Sequence, residues 1–318
     1  MQDKILDFLK KKTGYASGEE IAQRLKVSRQ ALWKHIQDLR DSGYDITAVP
    51  HLGYKLLSAP DRLLPSEITY HLKTKFIGRK IYYFDHINST MDMAMQLGLK
   101  NAPEGTLVLA ESQTKGRGRL GRNWFSPKYK GIYLSLILRP KTSPEETPIL
   151  TLLSAVSICE AIKETTGMEP QIKWPNDILM HNKKLGGILT ELNAEMDETL
   201  FVVIGIGLNV NNDKKALLEG ATSLRQQQKE ILSRLELLRG LLKKIEENYL
   251  LFQKEGSAPI LEKWRNYNLT LNRRVKVISH GRHIEGEAVD IDRGGSLLVR
   301  NDSGLTRRVS AGDIVHCR

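Results

Sequence analysis

Apolar residues recur along the first 60 positions at spacings that change from helical to strand-like. Ile5 and Leu9 lie one turn apart in a first predicted helix, and Ile21 and Leu25 lie one turn apart in a second. A third helical segment follows, and after it two short alternating runs are joined by a Pro- and Gly-containing turn. The order predicts three helices and a two-stranded wing, in the arrangement of a winged helix-turn-helix.

The third helix is predicted to begin after Ser28, which can cap its N-terminus. Its apolar residues Leu32, Ile36 and Leu39 share one side. The opposite side is polar and typical of a recognition helix, because Arg and Gln contact base edges and Lys neutralises phosphates. The residues expected to contact DNA are Ser28, Arg29, Gln30, Lys34 and Gln37. A solvated face in a protein-interaction module is the alternative interpretation.

Beyond a Pro-containing linker at residues 59–61, strand-like and helical segments mix as far as residue 269. This pattern predicts a central mixed β-sheet with flanking helices. Short alternating runs separated by glycines then predict a small C-terminal β-barrel. The fold class is therefore α+β, with domains at 1–60, 65–269 and 270–318.

A glycine-rich loop from Lys115 to Arg122 carries four cations. Its glycines fit G-x-G-x-x-G, but a strand-like run at 132–138 follows where a dinucleotide-binding fold needs a helix. A Walker lysine-serine pair is absent from the sequence, so neither motif's nucleotide site is predicted. Guanidinium groups on a flexible loop suit phosphate oxygens, and we expect a nucleotide lid. A solvated basic loop is the alternative.

The run Lys173-Trp174-Pro175-Asn176-Asp177 places a cation and a carboxylate at the end of a short strand. Asp177 is the kind of hard oxygen ligand that Mg²⁺ takes when it shares phosphate oxygens. A hairpin would return Lys184 towards Asp177. The strand 205–209 carries two glycines, which let a ligand approach the backbone, and ends in Asn209.

Charge and composition limit the partners and the location. The formal charge of +11 favours a polyanionic partner. The longest apolar runs fall far short of the roughly 20 residues that span a bilayer, and the first residues lack a secretory pattern, so we expect a cytoplasmic protein without membrane contact. Cys159 and Cys317 lie far apart, so the sequence indicates no disulfide framework and no zinc site.

These features together resemble the biotin protein ligases over nearly the whole chain. The motifs that occur in that family's order are Asn88-Ser89-Thr90, Gln113, the loop 115–122, Lys173-Trp174-Pro175-Asn176-Asp177, Lys184-Leu185-Gly186-Gly187 and Gly205-Ile206-Gly207-Leu208-Asn209. The winged helix makes the chain similar to family members that also repress the biotin operon. Leu120, where many relatives carry arginine, and Met91, where some carry asparagine, depart from the pattern.

The resemblance implies an ATP-dependent ligase that forms biotinoyl-5'-AMP and passes biotin to a lysine of a carrier domain. The catalytic residues it implies are Lys184, Arg117 and Arg119. The implied biotin contacts are Ser89, Thr90, Gln113, Arg117, Gly118, Arg119 and Lys184. The implied contacts with ATP and adenylate are Arg119, Arg122, Trp124, Asn176, Lys184 and Asn209. Asp177 would bind Mg²⁺, and the C-terminal domain would be SH3-like.

The implied partners are the biotin carrier domain of acetyl-CoA carboxylase and of other carboxylases, operator DNA, and a second copy of the chain when adenylate is bound. Three alternatives stay open: a biotin-responsive repressor without ligase activity, a lipoate-type ligase, and a ligase whose front domain has lost DNA binding. A pure sensor would need neither a phosphate loop nor a metal ligand, which disfavours it.

Overall fold

The computed structural model describes residues 1–196, 198–279, 282–310 and 312–316. Contacts along the chain divide it into two compact units, Met1–Arg62 and Leu63–Arg318. Among the described residues, no helix is long and apolar enough to cross a membrane. Cys317 lies outside the described residues.

The first unit contains three helices and a β-hairpin. They are α1 (Gln2–Lys11), α2 (Gly18–Leu25), α3 (Arg29–Asp41), β1 (Asp45–Val49) and β2 (Gly53–Ser58). Ile5, Ile21, Leu32 and Ile36 are each at most 1% exposed, so the predicted apolar faces do form one core. The antiparallel pairing of β1 with β2 confirms the predicted wing.

The second unit is built on a seven-stranded mixed sheet. Its strands are β3 (Ile81–Phe84), β4 (Leu107–Ala110), β5 (Gly131–Leu138), β6 (Gln171–Lys173), β7 (Asp177–Met180), β8 (Lys183–Glu195) and β9 (Glu198–Asn209). Their spatial order is β3-β4-β5-β9-β8-β7-β6. Only β3 and β4 pair in parallel, and the other described neighbours are antiparallel, so the predicted mixed sheet is confirmed.

Helices cover both faces of this sheet. They are α4 (Pro65–Thr69), α5 (Thr90–Leu99), α6 (Pro148–Thr166), α7 (Leu224–Gln228), α8 (Arg234–Glu255) and α9 (Ala258–Tyr267). The alternate side chains of β9 separate the two faces, since Val202 and Ile204 join the large core with α6 and α8, whereas Phe201 and Val203 pack with α5. The face beneath α5 is the one that carries the candidate site.

The C-terminal strands form a separate antiparallel sheet within the second unit. They are β10 (Arg274–Ser279), β11 (Arg282–Ile291), β12 (Leu297–Arg300), β13 (Thr306–Val309) and β14 (Asp313–His316), in the order β13-β12-β11-β10-β14. The inward residues Val275, Val277, Leu297 and Val299 are completely buried. The predicted glycine-separated strands are thus confirmed, and β13 is an addition to them.

Candidate active site

The floor of the site is formed by glycines on two adjacent strands, β8 and β9. On the α5 face of β9 the positions after Phe201 and Val203 are glycines, Gly205 and Gly207. Gly187 of β8 lies opposite Gly207. A Cβ atom on Gly205 would collide with Met91, and one on Gly207 would collide with the indole of Trp124. Glycine is therefore required here by close approach.

These glycines form the floor of a cavity of about 430 Å³. Its walls come from the start of α5, the glycine-rich loop, the β7–β8 hairpin and the segment 217–221. The predicted site residues that line it are Thr90, Gln113, Arg117, Gly118, Arg119, Arg122, Trp124, Asn176, Asp177, Lys184 and Asn209. The structure thus brings together residues from a stretch of 120 positions in the sequence.

One wall of the cavity is a network of neutral polar groups. The side-chain oxygen of Gln113 accepts hydrogen bonds from the backbone N–H of Thr90 (2.8 Å) and from its hydroxyl (3.1 Å). The Gln113 amide donates to the Ser126 hydroxyl at 2.9 Å, and Ser135 donates to Thr90 at 2.9 Å. Such an arrangement presents fixed donors and acceptors to a neutral polar ring.

Ser89 is placed differently from the other predicted site residues. It is 2% exposed, and its hydroxyl accepts a hydrogen bond from the Asp92 N–H at 3.3 Å, which caps α5. It is not among the residues that line the cavity. Its observed role is to begin the helix that carries Thr90, and a direct contact with biotin stays a prediction.

The glycine-rich loop closes on itself as a small hairpin. Trp124 donates its backbone N–H to the Gly116 carbonyl at 2.8 Å, and Gly118 donates to the Arg122 carbonyl at 2.7 Å. A single 3₁₀ turn, Arg119–Gly121, forms the tip. A strand follows the loop, as predicted, so the G-x-G-x-x-G pattern belongs to no dinucleotide-binding helix.

The β7–β8 hairpin does return Lys184 to Asp177, and their Nζ and Oδ1 atoms are 2.6 Å apart. Both side chains are partly exposed, at 39% and 26%, and both line the cavity. The Lys184 ammonium also lies 5.7 Å from the centre of the Trp124 ring, within range of a cation–π contact. A cation therefore stands beside an aspartate in the wall of the cavity.

Two arginines of the loop have partners outside it. Arg117 pairs with Asp92 at 2.8 Å and with both carboxylate oxygens of Glu191. Burial lowers the pKa of the Arg117 guanidinium, but the hydrogen bonds and charges of these two carboxylates outweigh it, so the pKa is raised. Arg119 donates to the Asn176 side chain and to the Gly312 carbonyl, each at 3.2 Å. The loop is thus tied to α5, β8 and the C-terminal sheet.

The sequence did not indicate several residues that line the cavity. Asn123 and Phe125 flank Trp124, and the segment 217–221 forms a side of the mouth. Asp92 and Glu191, which bind Arg117, were also missed. None of them stands in a motif, and an isolated acidic residue on a helix or strand gives no signal of its partner.

Magnesium was expected at Asp177. Among the described residues, no three His, Cys, Asp or Glu side chains stand close enough to hold a metal ion by themselves. Asp177, in a cavity that is also lined by several cations, does fit Mg²⁺ that takes its remaining oxygens from phosphates and water. Asp177 would then be the protein ligand, and the ion would neutralise phosphate charge.

The predicted DNA-binding residues lie at the start and along one face of α3. Ser28 accepts a hydrogen bond from the Ala31 N–H at 3.1 Å and caps the helix. Arg29, Gln30 and Lys34 are exposed and Gln37 is half-buried. Arg29 is paired with Glu19 of α2 at 2.7 Å, an exposed contact.

Comparison with known proteins identifies both units. Residues 83–209 match the biotin/lipoate A/B protein ligase family, residues 2–55 match a helix-turn-helix domain, and residues 270–317 match the biotin protein ligase C-terminal domain. The solved biotin protein ligase of Aquifex aeolicus in complex with biotin and ATP superimposes with a TM-score of 0.64 at 30% identity, covering 76% of this chain and 99% of that one.

A ligase domain with this fold and cavity defines a biotin protein ligase in the broad sense. Relatives that match along nearly the whole chain show which branch of this family it belongs to. The bifunctional ligase/repressor BirA of Bacillus subtilis is 41% identical over 93% of both chains, and that of Escherichia coli is 32% identical over 94% of this chain and 92% of its own. The chain belongs to the biotin protein ligase family, in its bifunctional ligase/repressor branch.

Proposed function

We propose that this chain is an ATP-dependent biotin protein ligase that also represses transcription. It forms biotinoyl-5'-AMP from biotin and ATP, transfers biotin to a lysine of a carboxylase carrier domain, and binds operator DNA as the adenylate-bound dimer. The observation that carries the ligase assignment is one cavity that combines the neutral network of Thr90 and Gln113, the Lys184–Asp177 pair and three loop arginines.

The first step joins two anions, so its main requirement is positive charge. An oxygen of the biotin carboxylate attacks the α-phosphorus of ATP, and the bond to the β-phosphate oxygen breaks to release pyrophosphate. Lys184 holds the carboxylate and stabilises charge on the α-phosphate, while Arg117, Arg119 and Arg122 hold phosphate oxygens. Asp177 would hold Mg²⁺, which would supply further neutralisation of the phosphates.

The second step needs access and exclusion of water. The neutral amine of the acceptor lysine attacks the carbonyl carbon of the mixed anhydride, AMP leaves, and the amine loses a proton. Trp124 and the loop hairpin shield the anhydride, since closure of a site excludes water. Ser89 caps α5, and the Asn176 and Asn209 amides donate to the Ile188 and Thr222 carbonyls, which holds in place the elements around the ligand. No described residue is assigned as the base for the proton.

The remaining partners follow from the same family membership. Carrier domains of acetyl-CoA carboxylase and related carboxylases are the proposed acceptors, and α3 with Ser28, Arg29, Gln30, Lys34 and Gln37 is the proposed DNA surface. Adenylate promotes dimerisation only if it binds the dimer more tightly than the monomer. We expect the protein to work in the cytoplasm.

Biotin-dependent exchange of pyrophosphate into ATP tests the adenylation step directly. The wild-type chain should catalyse exchange with biotin and not with lipoate, because its full-length relatives are biotin ligases. Lipoate is the control because the family model covers both substrate classes. Lys184→Ala should reduce exchange by about 10²–10³-fold, the scale seen when a group that stabilises transition-state charge is removed. Lys183→Ala, on the adjacent exposed side chain, is the matched control and should keep activity.

Exchange that persists in Lys184→Ala would remove Lys184 from the mechanism. No exchange by the wild type, despite measurable binding of biotin, would leave a sensor without ligase chemistry. Exchange with lipoate in place of biotin would reassign the substrate.

A further inference from the structure

Trp33 lies on the polar face of α3 but is not among the residues expected to contact DNA. Trp33 is 56% exposed, although indole rings are usually well covered in folded proteins. Within α3, all of which the structure describes, the other large apolar side chains, Leu32, Ile36 and Leu39, are at most 2% exposed. The exposed indole is therefore an exception on its own helix.

Trp33 belongs to the same stripe as the expected base-reading residues. The positions Gln30, Trp33, Lys34 and Gln37 follow the i, i+3, i+4, i+7 spacing that defines one face of a helix. The indole is thus flanked by two amides and an ammonium group. Arg29, at the edge of this stripe, makes an exposed ion pair with Glu19 of α2. The stripe itself presents two glutamines, the lysine and the indole.

We propose that Trp33 is a specificity-determining residue of the recognition helix, and that its indole packs on the 5-methyl group of a thymine in the major groove. This inference rests on the proposed binding of operator DNA. A thymine methyl is the apolar feature that the major groove presents, and an apolar side chain reads it. A protein partner would favour further exposed apolar groups beside the indole, whereas the residues on the same stripe of α3 carry amides and an ammonium group, which suit a polyanion.

The experiment removes the methyl group and the indole separately. A randomised pool of DNA duplexes is enriched on the full-length wild-type chain with biotin, ATP and Mg²⁺ at fixed salt. Each thymine of the enriched duplex is then replaced singly by deoxyuridine, which keeps the hydrogen-bonding edge and lacks the methyl. Equilibrium binding is measured for the wild type, Trp33→Ala and Leu57→Ala. Leu57, at the base of the wing, is also 56% exposed and is the matched control.

In the wild type, one deoxyuridine substitution per half-site should weaken binding by about fourfold, the value of one buried methyl-sized group. Trp33→Ala should weaken binding of the unmodified duplex by about tenfold or more. The variant should bind the duplex with thymine and the duplex with deoxyuridine equally well, because the side chain that contacts the methyl group is gone. Leu57→Ala should keep the wild-type response. Far-UV circular dichroism checks that each variant is folded.

Three results would overturn the proposal. Trp33→Ala could bind like the wild type, it could remain sensitive to the same deoxyuridine, or it could change the self-association of the chain in sedimentation without DNA, which would assign the indole to an interface between copies. If the wild type enriches no sequence, operator binding itself fails and this inference fails with it. That outcome differs from a wild type that selects DNA without using Trp33.

Discussion

A fully buried ion pair behind the site makes a sharp prediction about stability. Arg234, near the start of α8, and Glu111, just after β4, have completely buried side chains whose Nη1 and Oε2 atoms are 2.7 Å apart. The other Glu111 oxygen accepts from the Leu63 N–H at 2.7 Å and the Tyr83 hydroxyl at 3.2 Å, and Arg234 donates to the Gly131 carbonyl at 3.0 Å. The pair therefore joins α8 to strands on both sides of the glycine-rich loop.

Arg234→Met would leave the Glu111 carboxylate buried without its cation. Breaking a buried pair in this way costs about 3–5 kcal/mol. For a unit of this size 1 kcal/mol corresponds to about 2–4 °C, so the midpoint of thermal unfolding of the second unit should fall by about 10 °C. Because Glu111 lies two residues before Gln113, the exchange activity should be lost at a correspondingly lower temperature.

The double variant Glu111→Gln/Arg234→Met separates charge burial from lost packing. The glutamine oxygen can still accept from Leu63 and Tyr83, and no charge remains, so stability should return to within about 2 kcal/mol of the wild type. Differential scanning calorimetry of the full chain measures all three proteins. If the single variant loses less than about 1 kcal/mol, or if the double variant is no more stable than the single one, an uncompensated carboxylate is not the cause.

Further substitutions test packing and burial. Gly207→Ala should destabilise the second unit by about 1–3 kcal/mol and displace Trp124, because the new Cβ atom would collide with the indole. Gly240→Ala, inside α8, adds only an ordinary contact and should stabilise the unit by about 0.5–1 kcal/mol. Urea unfolding measures both variants, and equal effects would contradict the close approach at Gly207. Burial raises the pKa of the Cys159 thiol in the folded protein. The free energy of unfolding should therefore be constant below the pKa of the thiol in the unfolded chain, about 8.5, and should decrease as pH rises above that value. The decrease should be smaller in Cys159→Ala. In a Cys317→Ser background the remaining thiol should react with a disulfide reagent at pH 8 only at the rate of unfolding, and rapid reaction of the native chain would refute its burial.

The sequence predicted best where one short-range rule governs the outcome. The winged helix followed from apolar spacing and capping, and Ser28 accepts the expected hydrogen bond. The return of Lys184 to Asp177 followed from hairpin geometry alone. In these cases the partners are separated by a few residues, so spacing and turn chemistry suffice.

Prediction was weaker where the structure depends on distant contacts. The strand β13 was missed because Val309 is its only buried residue, which leaves no alternation to detect. The segment 217–221 reaches the cavity because the backbone of Lys184 donates to Gly220 at 2.8 Å and accepts from Thr222 at 2.9 Å. Backbone pairing of this kind is independent of side-chain identity, so it leaves no pattern in the sequence.

The ion pairs of Arg117 show how the predicted and the observed contacts of the loop fit together. Its guanidinium is expected to hold phosphate, yet in the structure it binds Asp92 and Glu191, which are 53% and 27% exposed. The pair with Asp92 is exposed and contributes about 0–1 kcal/mol, whereas the two hydrogen bonds to the Glu191 carboxylate form a bidentate contact of the kind that Arg also makes with phosphate. A triphosphate in the cavity would therefore compete with both carboxylates for Arg117. Since the same arginine cannot serve both, the two carboxylates hold the loop in place when no nucleotide competes for it.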